Sequence, residues 1–422
     1  MNGFDHWALS AAIFVPAIGA LIIGFLPRAE EQAHKLVALL TTLATLGVGI
    51  YLVARFDYDK STNIFNQGAD PAKALQFAVN RSWIDVINSR FHVGIDGISL
   101  PLLLLSMLIT VLCVVYSWDH FPEPHNPKAF LILMLILEVG MNGTFVAQDL
   151  ILFFVFFELV LLPMYFMIGV WGGPNRRYAS IKFFLFTLFG SALMILSFLA
   201  LYFKGGSTFD IPSLITNIQN HPLAHSTELL IFGGLFMGFA IKVPMFPFHP
   251  WLPDAHTEAP TAVSVLLAGV LLKMGAYGLI RICLGFAPHG ATEFAPVLGI
   301  IAAINVLWGA GASMVQKDMK KMIAYSSVSH MGYVLLGVAA ASAAGSLSLN
   351  YRQAALTGAT LQMFTHGTIT GMLFFAVGVL YDKAHTREID VFGGIGKRMP
   401  TLLLLFSIAC FASLGLPGLS GF

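Results

Sequence analysis

Four ionisable side chains lie inside long apolar runs of this sequence. Glu138 falls within 130–146, Glu158 within 150–170, Lys242 within 229–248 and Lys273 within 260–280. A charge at bilayer depth costs about 2.5–3.5 kcal/mol on insertion scales, so such groups mark ion or proton paths by default. The chemistry open to them is reversible proton binding. Burial disfavours the charged form of either group, and a close opposite charge restores it. A Glu158–Lys242 pair would therefore switch protonation when its members move together or apart. The bland alternative is a static ion pair that fixes helix packing. Lys273 has no carboxylate in its own run. It reads as a central carrier that must lose its proton or face water, against the alternative of a lysine snorkelling to the surface.

Histidines extend this set. His330 sits in YSSVSHMG and His366 in MFTHGT, both with hydroxyl neighbours. Imidazole takes up and releases protons near neutral pH, so both are candidate relay groups, though a lone membrane histidine often only bonds a carbonyl. His249 lies in a proline-rich break, as a relay or a hinge group. Glu138 is a second carboxylate that either modulates Glu158 or faces a neighbouring subunit. Lys182 opens an apolar run near one surface, where snorkelling is as good a reading as function. Asp254, His256 and Glu258 suggest a metal cluster at first sight, but their spacing in a proline-bounded turn fits a solvated loop better. No phosphate loop or dinucleotide fingerprint occurs, so nothing here is built to bind NADH or ATP.

These residues need a membrane-embedded frame. The 422-residue chain is 57% hydrophobic and 11% charged, with a mean hydropathy of +0.79. A soluble domain carries about 25% charged residues, so this is a polytopic membrane protein. A net charge of +1 argues against nucleic-acid binding. The three cysteines, Cys113, Cys283 and Cys410, lie far apart and fit neither a disulfide frame nor a metal site. The first apolar run lacks a basic flank and is expected to stay as an anchor. Spans of about 20 residues are expected at 7–26, 34–54, 97–117, 129–147, 149–170, 178–203, 229–250, 259–285, 294–316, 319–341, 354–381 and 400–422. The last has no polar flank, so the sequence is expected to stop inside or beside a helix. Connections after odd-numbered spans hold most Lys and Arg, including Arg176, Arg177, Lys320, Lys321, Lys397 and Arg398. This places the odd loops in the cytoplasm or matrix and the N-terminus outside. The long loop 56–96 is expected to carry a hairpin near 81–93. Prolines 244, 247, 250 and 253, and the stretch LGLPGLSG at 414–421, predict interrupted helices seven and twelve. Two breaks five spans apart are the pattern of an inverted-repeat transporter near its ion site.

Several stretches resemble one known family. IKVPMFPFHPWLPDAHTEAPTAVSVLLAGVLLKMGAYG at 241–278 resembles helices seven and eight of the antiporter-like subunits of respiratory complex I, the proton-pumping NADH:quinone oxidoreductase. FFVFFELVLLPMY at 153–165 is similar to their fifth-helix glutamate motif, and DMKKMIAYSSVSHMGY at 318–333 to their tenth helix. AHTEAP followed by LLKMGAYG points to the middle of the three such subunits. The resemblance covers essentially the whole chain. It implies an all-α membrane protein of about fourteen core helices, twelve of them seen here, with two inverted five-helix repeats. The division that follows is 1–128 for three N-terminal helices and the long loop, 129–285 for the first repeat and 294–422 for an incomplete second one. It also implies a mid-membrane proton axis through Glu158, Lys242, Lys273, His330 and His366, with Glu138 and His249 secondary, and a further glutamate just beyond Phe422. No cofactor is implied in this chain; NADH, FMN, iron–sulfur clusters and quinone are expected in partner subunits. The setting would be a bacterial or mitochondrial inner membrane, beside other membrane subunits of the complex. Two rivals stand against it: a subunit of a sodium–proton antiporter, and a scaffold whose charges are structural ion pairs.

Overall fold

An apolar run in lipid has no water for its backbone, so it closes its N–H and C=O groups internally as a helix. The computed structural model describes residues 3–60, 71–343 and 347–422; residues 61–70 of the long loop lie outside the described residues. Ten helices among the described residues are long and apolar enough to cross a membrane. They are Ala8–Phe25, Glu31–Arg55, Ser99–Tyr116, Pro127–Val146, Leu150–Trp171, Arg176–Lys204, Thr261–Phe286, Pro288–Met314, Met319–Ser342 and Leu349–Ala384. The two other expected spans are shorter helical pieces. His225–Lys242 stops at Lys242, and a new helix, Trp251–Glu258, follows only after 243–250. Pro400–Ser413 gives way to turns over 414–422.

Three details depart from uniform spans. Pro163 lacks an amide donor and crowds the carbonyl four residues back, at Leu159. The fifth span accordingly divides into Leu150–Leu159 and Leu161–Trp171, one residue after Glu158. An amphipathic helix, Ile211–Asn220, fills the connection after the sixth span. The long loop folds as an antiparallel hairpin, Gln76–Ile84 against Ser89–Ile95. That hairpin is tied to helix starts on the same face. Ser89 Oγ donates to Asp149 Oδ1 (2.9 Å), and Asp149 also caps the Leu150 helix through the amides of Ile151 and Leu152. His92 Nδ1 lies 2.5 Å from Asp210 Oδ1, and Asp210 caps the Ile211 helix.

At the centre is Thr261–Phe286, enclosed along its apolar length by its neighbours. The Leu349–Ala384 helix crosses it closely. A Cβ on Gly367 would stand 2.8 Å from Gly269 O, so glycine there is what lets the two backbones approach. The residue before it, His366, is thereby brought against Lys273. At the even-loop end of the same helix, Arg281 Nη2 meets Asp96 Oδ2 at 2.5 Å. Burial alone would raise the Asp96 carboxyl. The Arg281 guanidinium and the Ser99 and Ile98 amides outweigh that and hold it below the usual carboxylate value.

Candidate functional site

The central helix is not regular α-helix. Leu267–Leu271 and Leu279–Cys283 are π-helical turns on either side of Lys273, a distortion frequent at functional sites. Lys273 is fully buried. Its ammonium donates to Ala268 O, a carbonyl of the first π turn, and to His366 Nδ1 at 2.6 Å. With Nδ1 accepting, neutral His366 carries its proton on Nε2, and that atom has no partner among the described residues. His330 lies next, with ring centroids 5.5 Å apart. Gln362 Nε2 approaches His330 Nδ1 (3.3 Å) and His330 Nε2 meets Ser413 Oγ (2.9 Å). This pattern assigns donor Nε2 and acceptor Nδ1 to His330. A cavity of about 390 Å³ opens among His330, Gln362, His366, Ser413 and Gly415. Its polar lining has room for water between the two rings.

Glu158 and Lys242 are held apart. No ion pair within 4.0 Å joins them among the described residues; each has other contacts. Ser191 Oγ is shared between Glu158 Oε1 and Thr187 O (3.0 Å). A hydroxyl has one proton, so it serves one acceptor at a time. Lys242, the last residue of its helix, lies over the rings of Phe157 (4.9 Å) and Phe183 (5.9 Å). Cation–π contact of this kind contributes about 0.5–2 kcal/mol without fixing a proton acceptor. Glu158 and Lys242 thus each rest on other partners, a serine hydroxyl and two aromatic rings.

The break after Lys242 is stabilised by side chains. Asn305 Oδ1 accepts from the Phe246 amide (2.7 Å), its Nδ2 donates to Pro244 O (3.3 Å), and Trp251 Nε1 donates to Ile241 O (2.9 Å). These satisfy backbone groups that the prolines free. His249 stands at this break, accepting from Trp308 Nε1 (3.3 Å) and stacked on Phe246.

Three expectations change. Glu138 is fully buried, so it does not face a neighbouring subunit. Neither of its oxygens has a partner among the described residues, and Asn142, one turn on, donates instead to Ala12 O (2.9 Å). Lys182 turns inward to Asp254 (2.7 Å) rather than snorkelling. The 254–258 segment is not a solvated loop. It is a helix with His256 fully buried and Glu258 nearly so, because it packs against the Arg176–Lys204 and Met319–Ser342 helices. Glu258 Oε2 accepts from the Asn175 amide (2.9 Å). No three His, Cys, Asp or Glu side chains among the described residues could hold a metal ion. His256 and Lys320 are buried ionisable groups that the sequence reading did not place in the path. Both sit in polar stretches that look like surface, and only their absence from solvent sets them apart.

Residues 147–422 match the family model for the membrane region of NADH:quinone oxidoreductase and Mrp antiporters. Residues 72–144 match that for the amino terminus of NADH-ubiquinone oxidoreductase chain 4. NADH-quinone oxidoreductase subunit M of Rickettsia bellii is 41% identical over 98% of this chain and 79% of its own length. A chain of respiratory complex I from Thermus thermophilus superposes with a TM-score of 0.82 at 30% identity, covering 98% of this chain and 80% of that one. A chain of the Mrp complex from Dietzia shares the fold (TM-score 0.80) at 21% identity, covering 99% of this chain and 42% of that one.

Proposed function

The chain belongs to the antiporter-like membrane subunits of NADH:quinone oxidoreductase, related to subunit M and chain 4, and on that premise we propose a residue-by-residue proton path. It is a multi-pass membrane subunit of a proton-translocating oxidoreductase. Glu158 and Lys242 form the input switch, Lys273 is the central carrier, and His366 and His330 lead toward Ser413. Glu138 and His249 are secondary, the first as a buried carboxylate beside the path and the second as the polar hinge of the broken segment. The observation that carries this reading is the direct Lys273–His366 contact inside a wholly buried helix. A buried ammonium with an imidazole acceptor at 2.6 Å can hand on a proton without moving either backbone.

The architecture we infer is the inverted-repeat one. Residues 129–285 form one five-helix unit and 294–422 the other, after an N-terminal part at 1–128. The helix ends at Lys242 and Ser413 are the corresponding breaks that open the axis to water. In this reading NADH, FMN, iron–sulfur clusters and quinone belong to partner subunits, and neighbouring antiporter-like subunits flank this one. The sodium–proton antiporter alternative has less support: a family model that covers both kinds of protein, and likeness of fold at 21% identity. The test is Lys242→Ala. Removing the ammonium leaves Glu158 without its counter-charge, so the carboxyl stays protonated and the switch stops. The complex should assemble while proton uptake in reconstituted vesicles falls several-fold. Normal pumping by an assembled variant would remove Lys242 from the path.

A further inference from the structure

The path above runs from Glu158 and Lys242 to near Ser413, and His256 and Lys320 are buried titratable groups that it does not use. His256 stands in the last turn of Trp251–Glu258, fully buried. Neither ring nitrogen has a partner among the described residues. A neutral imidazole carries one N–H donor and one lone-pair acceptor, so two bonding positions stand open at this site. Leaving such a group unsatisfied costs about 1–3 kcal/mol, which a merely structural ring would avoid by being Phe or Leu. The ring lies flat on Phe374 (centroids 4.8 Å, 13°). Phe374 shares one face of its helix with Thr370 and His366, at four-residue steps. His366 is the group that meets Lys273, and it lies roughly 12 Å along the helix from Phe374 at 1.5 Å per residue. Thr370 stands midway, buried.

On the other side of His256 is Lys320. It is 3% exposed and donates to Ala259 O (2.7 Å), three residues beyond the histidine. Its surroundings belong to the odd-loop face. Asp318 caps its helix and pairs with Arg387 (3.1 Å), and Arg387 Nη1 donates to Thr257 O (2.6 Å). Two cations act on the His256 ring, Lys320 from the face and Lys273 from the centre. Glu258, Asp318, Asp382 and Arg387 act on Lys320. Ser264, on the Lys273 helix, donates to His256 O (3.1 Å).

We propose that His256 is a proton-relay residue that joins Lys320, at the odd-loop face, to Lys273, giving the central carrier its own supply from that side. One proton passes through water from the Lys320 ammonium to the lone-pair nitrogen of His256. The other ring nitrogen releases its proton, through water alongside Thr370 and Ser264, to neutral Lys273. The ring then reorients to its starting tautomer. Charge and protons balance, and water is the only co-reactant. The inference rests on the carrier reading of Lys273.

The test uses the assembled complex in lipid vesicles, with His256→Gln, Lys320→Met and Lys273→Arg made separately. Glutamine keeps hydrogen bonding but cannot titrate. Initial proton uptake per quinone reduced is measured in H2O and D2O. Loss of a positioned proton-transfer group should slow uptake about tenfold or more, and the solvent isotope effect should rise because proton transfer becomes limiting. A packing defect would lower the rate without raising the isotope effect, and that result overturns the proposal. So does uptake near the parent rate in His256→Gln beside a defective Lys273→Arg, which leaves the carrier reading intact. Normal pumping by Lys273→Arg would instead sink the carrier reading and this inference with it. Should His256→Gln fail to assemble, Lys320→Met decides by the same two readouts.

Discussion

Replacing Ser191 with alanine should close the Glu158–Lys242 switch. In the resting geometry Glu158 leans on the Ser191 hydroxyl, not on Lys242. Lys242 rests on two phenylalanine rings and has no carboxylate in contact. A hydrogen bond to an ionised group contributes about 1.5–3 kcal/mol. Its loss biases Glu158 toward Lys242 by that amount, roughly 10- to 100-fold in the ratio of closed to open forms at 1.4 kcal/mol per factor of ten. The ammonium need not move, so its contact with Phe157 and Phe183 offsets little. The neighbouring break at Val160, imposed by Pro163, gives the Glu158 turn freedom to follow. Structure determination of the Ser191→Ala complex should find carboxylate and ammonium within 4 Å. Proton uptake should slow by about an order of magnitude, since a switch that stays closed does not cycle. Ser191→Thr keeps the hydroxyl and should restore both. An alanine variant with Glu158 still apart from Lys242 and an unchanged rate would refute the reasoning.

Two further outcomes follow from the Asp96–Arg281 pair. Asp96→Asn leaves a buried guanidinium unpaired and should destabilise the subunit by about 3–5 kcal/mol, read as a lower thermal midpoint for loss of the subunit from detergent-solubilised complex. The Arg281→Met change added to it should recover much of that loss. The pair also sets an acid limit. Asp96 is held below the ordinary carboxylate value, near 3.9 in an unfolded chain. Its contribution is therefore fully present above that value and is lost only as pH falls through the lower folded one. An acid titration of subunit retention should show no pH-dependent contribution from Asp96 above about pH 4, seen as parallel curves for parent and Asp96→Asn, offset by the full loss, in that range.

Much of the frame was legible because lipid makes one demand, a run of about 20 apolar residues with its backbone closed. The expected span 7–26 is the helix Ala8–Phe25, and 319–341 is Met319–Ser342. The prolines at 244, 247 and 250 mark where the helix ends at Lys242. Less visible was anything decided by neighbours. The π turn Leu267–Leu271 beside Lys273 has no signature in LLAGVLLKMGAYG. Glu158 and Lys242 read as a pair from charge alone, yet Ser191 and two phenylalanine rings hold them apart. DAHTE reads as solvated because its residue types are polar. Burial of His256 and Glu258 follows from the Asn175, Lys320 and Arg387 segments folding over them, contacts 61 to 130 positions distant in sequence in the bonds they make. The Lys273–His366 contact spans 93 positions and depends on Gly269 and Gly367 letting two helices meet.

The central claim is that Lys273 releases its proton in each cycle, and Lys273→Arg tests it most directly. Arginine keeps the charge but holds its proton about three units more tightly than lysine, roughly 4 kcal/mol or a thousandfold against release. The site offers that guanidinium two acceptors, Ala268 O and His366 Nδ1. The measurement is proton uptake by vesicles holding the intact Lys273→Arg complex, beside Lys273→His, which can still titrate. The account predicts little uptake with arginine and partial uptake with histidine. Full pumping by the arginine complex would contradict it, because a carrier that never deprotonates carries nothing.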